Sequence, residues 1–405
     1  MARLAGPNPV INVEYILSSK YEARSSPEED PFRHQSVANS HNHHELHPWG
    51  TKIFPGSEAF DALYAQANNQ YMYHLWYSPA LAPYMATKMI HMEPLSEAII
   101  AKMANILRVE LEYGIEAALR TEHGKEVAIA IQNIMDSAKL APDDQIFVRF
   151  GATSAKDSFA INVPTTKPTS MPPKGELVLR RLLTSGRTVG RILALSDRIW
   201  ADDPGEALII QKWSPDIELR REFRVFCYEG RVTAISQDIW WEKLGWREQY
   251  SDGFVDAITV LWDGVKSHLP FSTCTMDVLM TPQDGVPNWK AGIIEFNGFG
   301  AHLNTGSDLF HWVHDADTLQ GRKPGITVRF VDDWEGCDLS LKMENGAGPQ
   351  TPDEKQEPLD DDDPDWLALE KKLRCQYGRS VNEVGKLPPE KKLSLPLRGR
   401  WCSAY

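Results

Sequence analysis

Apolar positions recur at helical spacing early in the chain and at strand spacing later. Phe60, Leu63 and Tyr64 fall on one face after Ser57, which predicts a short capped helix. The aromatics of HLWYSPALAPYM read as packing residues. Ser96 then caps a run in which Ile99, Ile100, Met103, Ile106 and Leu107 form a stripe, continuing to about residue 119 as one helix or two. VAIAIQNIMDSAKLA is a further helix, leading into the first predicted strand, QIFVRFG. TVGRILALSDRIW is amphipathic, EALIIQKW is an apolar strand run, and REFRVFCYEGRVTAISQD reads as two strands joined at Tyr228-Glu229-Gly230. A helix rich in Trp240, Trp241 and Trp246 follows, then VDAITVLWDGVKSHL as another helix. Next, CTMDVLM and WKAGIIEFNGFG flank TPQDGVPN, a second hairpin, and GITVRFVDDW predicts a last strand.

The chemistry lies where polar groups interrupt these strands. Side chains alternate faces along a strand, so Glu295 and Asn297 point one way and Phe296 the other. If Asp277 lies across from them, two carboxylates and a carboxamide converge. Bare carboxylates ~4 Å apart repel by roughly 4 kcal/mol at an effective dielectric near 20, so such a spot wants a cation. An all-oxygen set favours a hard ion such as Mg²⁺. Singly, each acid reads as a solvated strand end; together, with NGFG directly after, they favour a metal set. Arg149 shares a face with Phe147, a setting in which arginine often meets phosphate or carboxylate. Glu222, Arg224 and Phe226 share a face, with Arg221 and Phe223 on the other; a structural salt bridge between Glu222 and an arginine competes there with ligand contact.

Composition sets limits. The 405 residues are 42% hydrophobic and 10% aromatic, enough for a large core. A net charge of −13 argues against broad nucleic-acid or anionic-membrane binding. No apolar run approaches the ~18 residues of a membrane span, and five scattered cysteines without CxxC spacing suit reduced thiols in the cytoplasm and give no zinc signal. Residues 1–56 are rich in His, Ser and Asn, without a sustained period; the histidines from His34 to His47 read as a low-complexity loop. Residues 353–365 carry eight acidic side chains against one lysine, within a flexible tail from 346 to 405 that is acidic, then basic. A short helical run at 366–373 interrupts it. The folded domain is therefore expected at 57–345.

Motifs for the common nucleotide folds are absent: there is no GxxxxGK[ST] and no GxGxxG opening a helix after a strand. LIIQKW, REFRVF, AISQD, MDVL, IIEFNGFG and DLFHW nonetheless occur in the order found in the cell division cycle protein 123 family. VRFGATSAKDS and HLWYSP with EPLSEAII resemble two further segments of it, so that the similarity spans roughly residues 73–315. The resemblance implies an α+β, ATP-grasp-like fold, in which two α+β subdomains with antiparallel sheets sandwich a nucleotide. It further implies ATP and Mg²⁺ as cofactors and a role as assembly factor for eukaryotic translation initiation factor 2, with that factor's γ subunit as candidate partner.

Carried over by position, Arg149 stands where the family has a phosphate-contacting lysine, and Lys156 keeps its basic residue. Lys212, Trp213 and Ser214 match the hinge strand beside the adenine. Arg221 and Arg224 match phosphate-side arginines, Gln237 a polar group by the nucleotide, and Asp277, Glu295 and Asn297 the Mg²⁺ set. The sequence departs from the pattern at Gln211 (arginine expected), Glu295 (aspartate), Gly298 (proline) and Ser78, which splits Trp76-Tyr77 from Pro79. An alternative stays open: an ATP-grasp ligase joining a small carboxylate and an amine through an acyl phosphate. Lys212 and Arg224, with Arg149 and Arg221, would then neutralise charge developing in the transfer.

Overall fold

The computed structural model describes residues 10–16, 69–141, 144–156, 158, 174–197, 203–214, 217–238, 243–244, 252–283, 289–300, 305, 307, 309–310 and 315–332. The expected helix after Ser57, the histidine-rich stretch, the tryptophan-rich helix, and the acidic and helical segments of the tail lie outside these residues.

The described strands are β1 (Ile11–Ile16), β2 (Met89–Leu95), β3 (Ile146–Phe150), β4 (Glu206–Lys212), β5 (Glu222–Tyr228), β6 (Arg231–Gln237), β7 (Cys274–Pro282), β8 (Trp289–Asn297) and β9 (Ile326–Val331). They form a six-stranded sheet ordered β1-β9-β6-β5-β7-β8 and a three-stranded sheet ordered β2-β4-β3. The smaller sheet is antiparallel throughout. The larger is mixed, because β9 runs parallel to both β1 and β6.

The helices are α1 (Tyr73–Trp76), α2 (Glu97–Tyr113), α3 (Ile115–Arg120), α4 (Glu122–Ser137), α5 (Gly175–Leu183), α6 (Gly186–Ser196), α7 (Asp252–Val265) and α8 (Ala316–Leu319). The Ser96 side chain caps α2 by accepting from the Ile99 N–H at 3.3 Å, and the long helical run resolves into two helices separated at Gly114. Ile100, Met103 and Leu107 of α2 and Val178 and Leu182 of α5 pack with Val148 and Phe150 of β3 and Leu208 and Ile210 of β4. A second core joins Phe254, Ile258 and Trp262 of α7 to Val225, Val278, Phe296 and Phe330 on one face of the large sheet, and it also takes in Tyr73 and Trp76 of α1. Trp76 meets Phe296 edge-on at 4.9 Å, as expected of packing aromatics. The face of β5–β8 bearing Arg224 and Asp277 is the one α7 leaves uncovered.

Three elements departed from the sequence reading. MIHMEPL forms β2, with Pro94 tolerated because β2 is a sheet edge. GELVLRRLL forms α5, where Arg180 and Arg181 hide its amphipathic period; Arg181 is itself buried. INVEYI, within the stretch read as an extension, forms β1 at the other edge of the large sheet.

Candidate nucleotide and metal site

The hairpin read from Cys274 onward folds as β7 and β8 in antiparallel register, with Asp277 directly opposite Glu295 and Thr275 opposite Asn297. Directly paired residues share a face, so Glu295 and, two residues on, Asn297 lie on the face of Asp277, and a register shift follows only beyond Asp277. The Asn297 Nδ2 donates to Asp277 Oδ2 at 3.2 Å. The neighbouring strand places Arg224 opposite Asp277, and the guanidinium grips that carboxylate through two bonds, Nε–Oδ1 at 2.8 Å and Nη2–Oδ2 at 2.9 Å. Two carboxylates and a carboxamide thus meet as the alternation predicted.

The second cation comes from the other sheet. Arg149 projects from β3 on the face away from Val148 and Phe150 and forms an ion pair with Glu295. Its guanidinium also lies 5.6 Å from the Tyr73 ring centre, and its Nε donates to the Phe150 carbonyl at 3.1 Å. Glu295 is desolvated, which opposes ionisation, but Arg149 and then Lys156 outweigh that and hold its carboxyl far below the usual carboxylate range. Lys156, just past β3, is likewise desolvated, yet Glu222, Glu295 and Asp277 raise its pKa and keep it charged.

Glu222 behaves in the opposite way. Burial raises its carboxyl and Lys156 opposes, while Asp238, Asp277 and Glu295 reinforce the rise, leaving it at about 7. Asp238 is also pushed up, by burial first, with Arg224 opposing. In the sequence Glu222 stands out only as a salt-bridge candidate, and Asp238 does not stand out. The spacing REFRVF, with an acid and a base on one face of a buried strand, was the available signal.

A longer pattern runs across the large sheet. Glu14 of β1 faces Arg329 of β9, which faces Ser236 of β6; Ser236 faces Arg224, Arg224 faces Asp277 and Asp277 faces Glu295. One polar row therefore crosses all six strands. Arg329 bonds Glu14 at 2.7 Å and Asp315 at 2.7 and 2.9 Å, and lies 4.2 Å over the Phe310 ring.

Other expected residues stand apart from this cluster. Lys212 ends β4 exposed, sharing by alternation the face of Leu208 and Ile210 that packs on the helices. The register therefore does not bring its side chain to Arg224. The Lys212 N–H donates to the Lys88 carbonyl at 2.8 Å and the Trp213 N–H to the Gln145 carbonyl at 3.0 Å, while the Ser214 carbonyl accepts from Ile217 at 3.3 Å. Arg221 sits in a 3-10 turn, half-buried, 3.7 Å from Glu218. Gln237 lies opposite Phe223, on the face turned to the α7 core, where its Oε1 accepts from the Val331 N–H at 3.2 Å. Gln211, where an arginine was expected, donates to the Tyr73 hydroxyl at 3.2 Å and to Thr87 at 3.1 Å.

Among the described residues no group of three or more His, Cys, Asp or Glu has metal-holding geometry, and no helix is long and apolar enough to cross a membrane. The donor chemistry at the hairpin nonetheless fits Mg²⁺: Asp277, Glu295 and the Asn297 carboxamide are all oxygen donors.

Comparisons with known proteins bear on the fold. The D123 family model matches residues 195–356. The putative CDC123-like protein L884 of Acanthamoeba polyphaga mimivirus is 27% identical over 188 residues, 46% of this chain and 55% of that protein. The chain thus aligns with about half the length of this curated relative. Two structures of Cdc123 from Schizosaccharomyces pombe, one of them C-terminally truncated, superpose with a TM-score of 0.50 at 18% and 19% identity. Each superposition covers 66% of this chain and 98% of the other. The fold is therefore that of Cdc123, ATP-grasp-like and α+β. The D123 match, the viral relative and the shared fold together support reading the chain as a divergent relative of the Cdc123 (D123) proteins.

Proposed function

We propose that the space between the two sheets binds Mg·ATP and that the loaded chain acts as an assembly factor for eukaryotic translation initiation factor 2, engaging its γ subunit. The observation that carries the nucleotide reading is the convergence of Asp277, Glu295 and Asn297 on one face, with Arg149, Lys156 and Arg224 around them. Mg²⁺ would be held by Asp277, Glu295 and Asn297 and would neutralise phosphate charge. Without a ligand the two carboxylates are already neutralised by Arg224 and Arg149. A polyphosphate offers these guanidiniums alternative acceptors and thereby frees the carboxylates for the cation. Lys156 adds a third positive charge at the same place. The hinge role of Lys212, Trp213 and Ser214 rests on backbone groups beside the base, since the Lys212 side chain points elsewhere. The partner reading rests on the likeness to Cdc123 proteins.

Isothermal calorimetry of the purified chain with Mg·ATP tests the site, and capture of the γ subunit with and without nucleotide tests the role. Saturable Mg·ATP binding and nucleotide-dependent capture are expected. ADP release stimulated by a carboxylate and an amine would overturn the assembly-factor reading in favour of a ligase.

A further inference from the structure

Behind the turn that carries Lys156 lies a second buried polar group, which the nucleotide reading leaves without a task. Glu206 opens β4 with a fully buried side chain. Its Oε1 accepts from the backbone N–H of Gly151 at 2.6 Å, of Ala152 at 3.3 Å and of Ala207 at 2.9 Å. Its Oε2 accepts from Arg191 Nε at 2.9 Å. Arg191 extends the chain of bonds to Asp203 Oδ1 at 2.8 Å and to the Gly205 carbonyl at 2.9 Å. A buried carboxylate thus aims one oxygen at two amides of the turn, and a guanidinium holds its other oxygen still.

The turn fits this anchor closely. A side chain at Gly151 would collide with His74 Nδ1 and put its Cβ 2.9 Å from Glu206 Oε1, so only glycine lets the backbone reach the carboxylate. From the far side, Arg181 Nε donates to the Ala155 carbonyl at 3.3 Å, and Ser158 bonds Thr184 at 2.7 Å. The segment is therefore held at both ends, with Lys156 between them and Arg149 on the strand just before it.

The geometry points to Glu206 as a positioning residue that, through Gly151 and Ala152, fixes the turn presenting Lys156 to the phosphates of a bound nucleotide. The inference rests on the nucleotide reading above. Around metal ions, a group that fixes a ligand without touching the ion is typically worth about 10–100-fold in affinity, and a carboxylate that fixes a phosphate-binding lysine acts in the same way.

The test combines calorimetry with amide hydrogen exchange on the full chain. Glu206→Gln is isosteric, but its single oxygen cannot serve both the amides and Arg191; it is the primary variant, because Glu206→Ala empties a fully buried position, takes away one of the two carboxylates on Arg191 and risks unfolding. Glu206→Gln is expected to weaken Mg·ATP about 10-fold and to speed exchange at Gly151 and Ala152 while leaving Phe226 unchanged. Lys156→Met is expected to weaken binding more, and the double variant no further than Lys156→Met alone. Losses that add in the double variant, or unchanged exchange at Gly151 and Ala152, overturn the proposal. A wild-type chain without affinity for Mg·ATP would sink the nucleotide reading itself. The exchange rates would then decide the anchor alone, faster exchange upholding it and unchanged exchange removing it.

Discussion

Asp277 and Asn297 stand side by side, yet their loss should cost different things. Asp277 accepts two bonds from a buried guanidinium, so Asp277→Ala breaks a bidentate ion pair and should destabilise the fold by about 3–5 kcal/mol. Asn297 gives one hydrogen bond, and Asn297→Ala should cost about 0.5–1.5 kcal/mol. Both should lose Mg·ATP, so Asn297→Ala is the cleaner probe; urea unfolding beside calorimetry checks the contrast, and full Mg·ATP affinity in Asn297→Ala would remove it from the metal set. Glu222 allows a pH test. Its folded carboxyl is raised from 4.5 to about 7, so the folded chain keeps a proton that the unfolded chain has released. The stability this group contributes is fully present below 4.5 and is lost as the pH rises through 7. Between about pH 5 and about pH 7.5 the urea midpoint should fall more in wild type than in Glu222→Gln, which stays neutral. Equal falls would dismiss Glu222 as the titrating group. At this scale the acids at 277 and 295 were legible because alternation assigns faces. Asp238 was not, since only the pairing of β6 with β5 brings it beside Glu222.

Among the elements, the β5–β6 hairpin was the most readable. Tyr228 pairs with Arg231, and both turn residues have positive φ, 48° at Glu229 and 76° at Gly230. A Cβ at Gly230 meets nothing within 4 Å, so Gly230→Ala suffers from backbone conformation alone and should cost about 1–2 kcal/mol. Denaturant unfolding checks this, with nucleotide affinity expected unchanged; a neutral substitution would mean that the turn conformation is wrong. β2 and β1 were illegible for opposite reasons. Pro94 makes MIHMEPL look unlike a strand, and only an edge position excuses it. INVEYI alternates well but is short and flanked by polar sequence, and its partner, β9, lies some three hundred residues away.

For the whole molecule, the tie of β1 to β9 means that residues 11–16 belong to the folded unit. Deleting residues 1–16 should expose the β9 edge, remove the Glu14 partner of Arg329 and lower the melting temperature measurably, which calorimetric scanning checks. An unchanged melting temperature would mean that β1 is dispensable. The polar row from Glu14 to Glu295 bears on how the chain finds this arrangement. Hydrophobic alternation cannot tell a correct strand pairing from one displaced by two residues, because both keep every side chain on its proper face. The row can. Moved by two along β7, Arg224 would face Thr275 or Leu279 instead of Asp277, and the two-bond pair of buried charges would be broken. The charges that hold the site ready for a ligand thus also proofread the assembly of the sheet, so removing one should cost fidelity of folding as well as affinity.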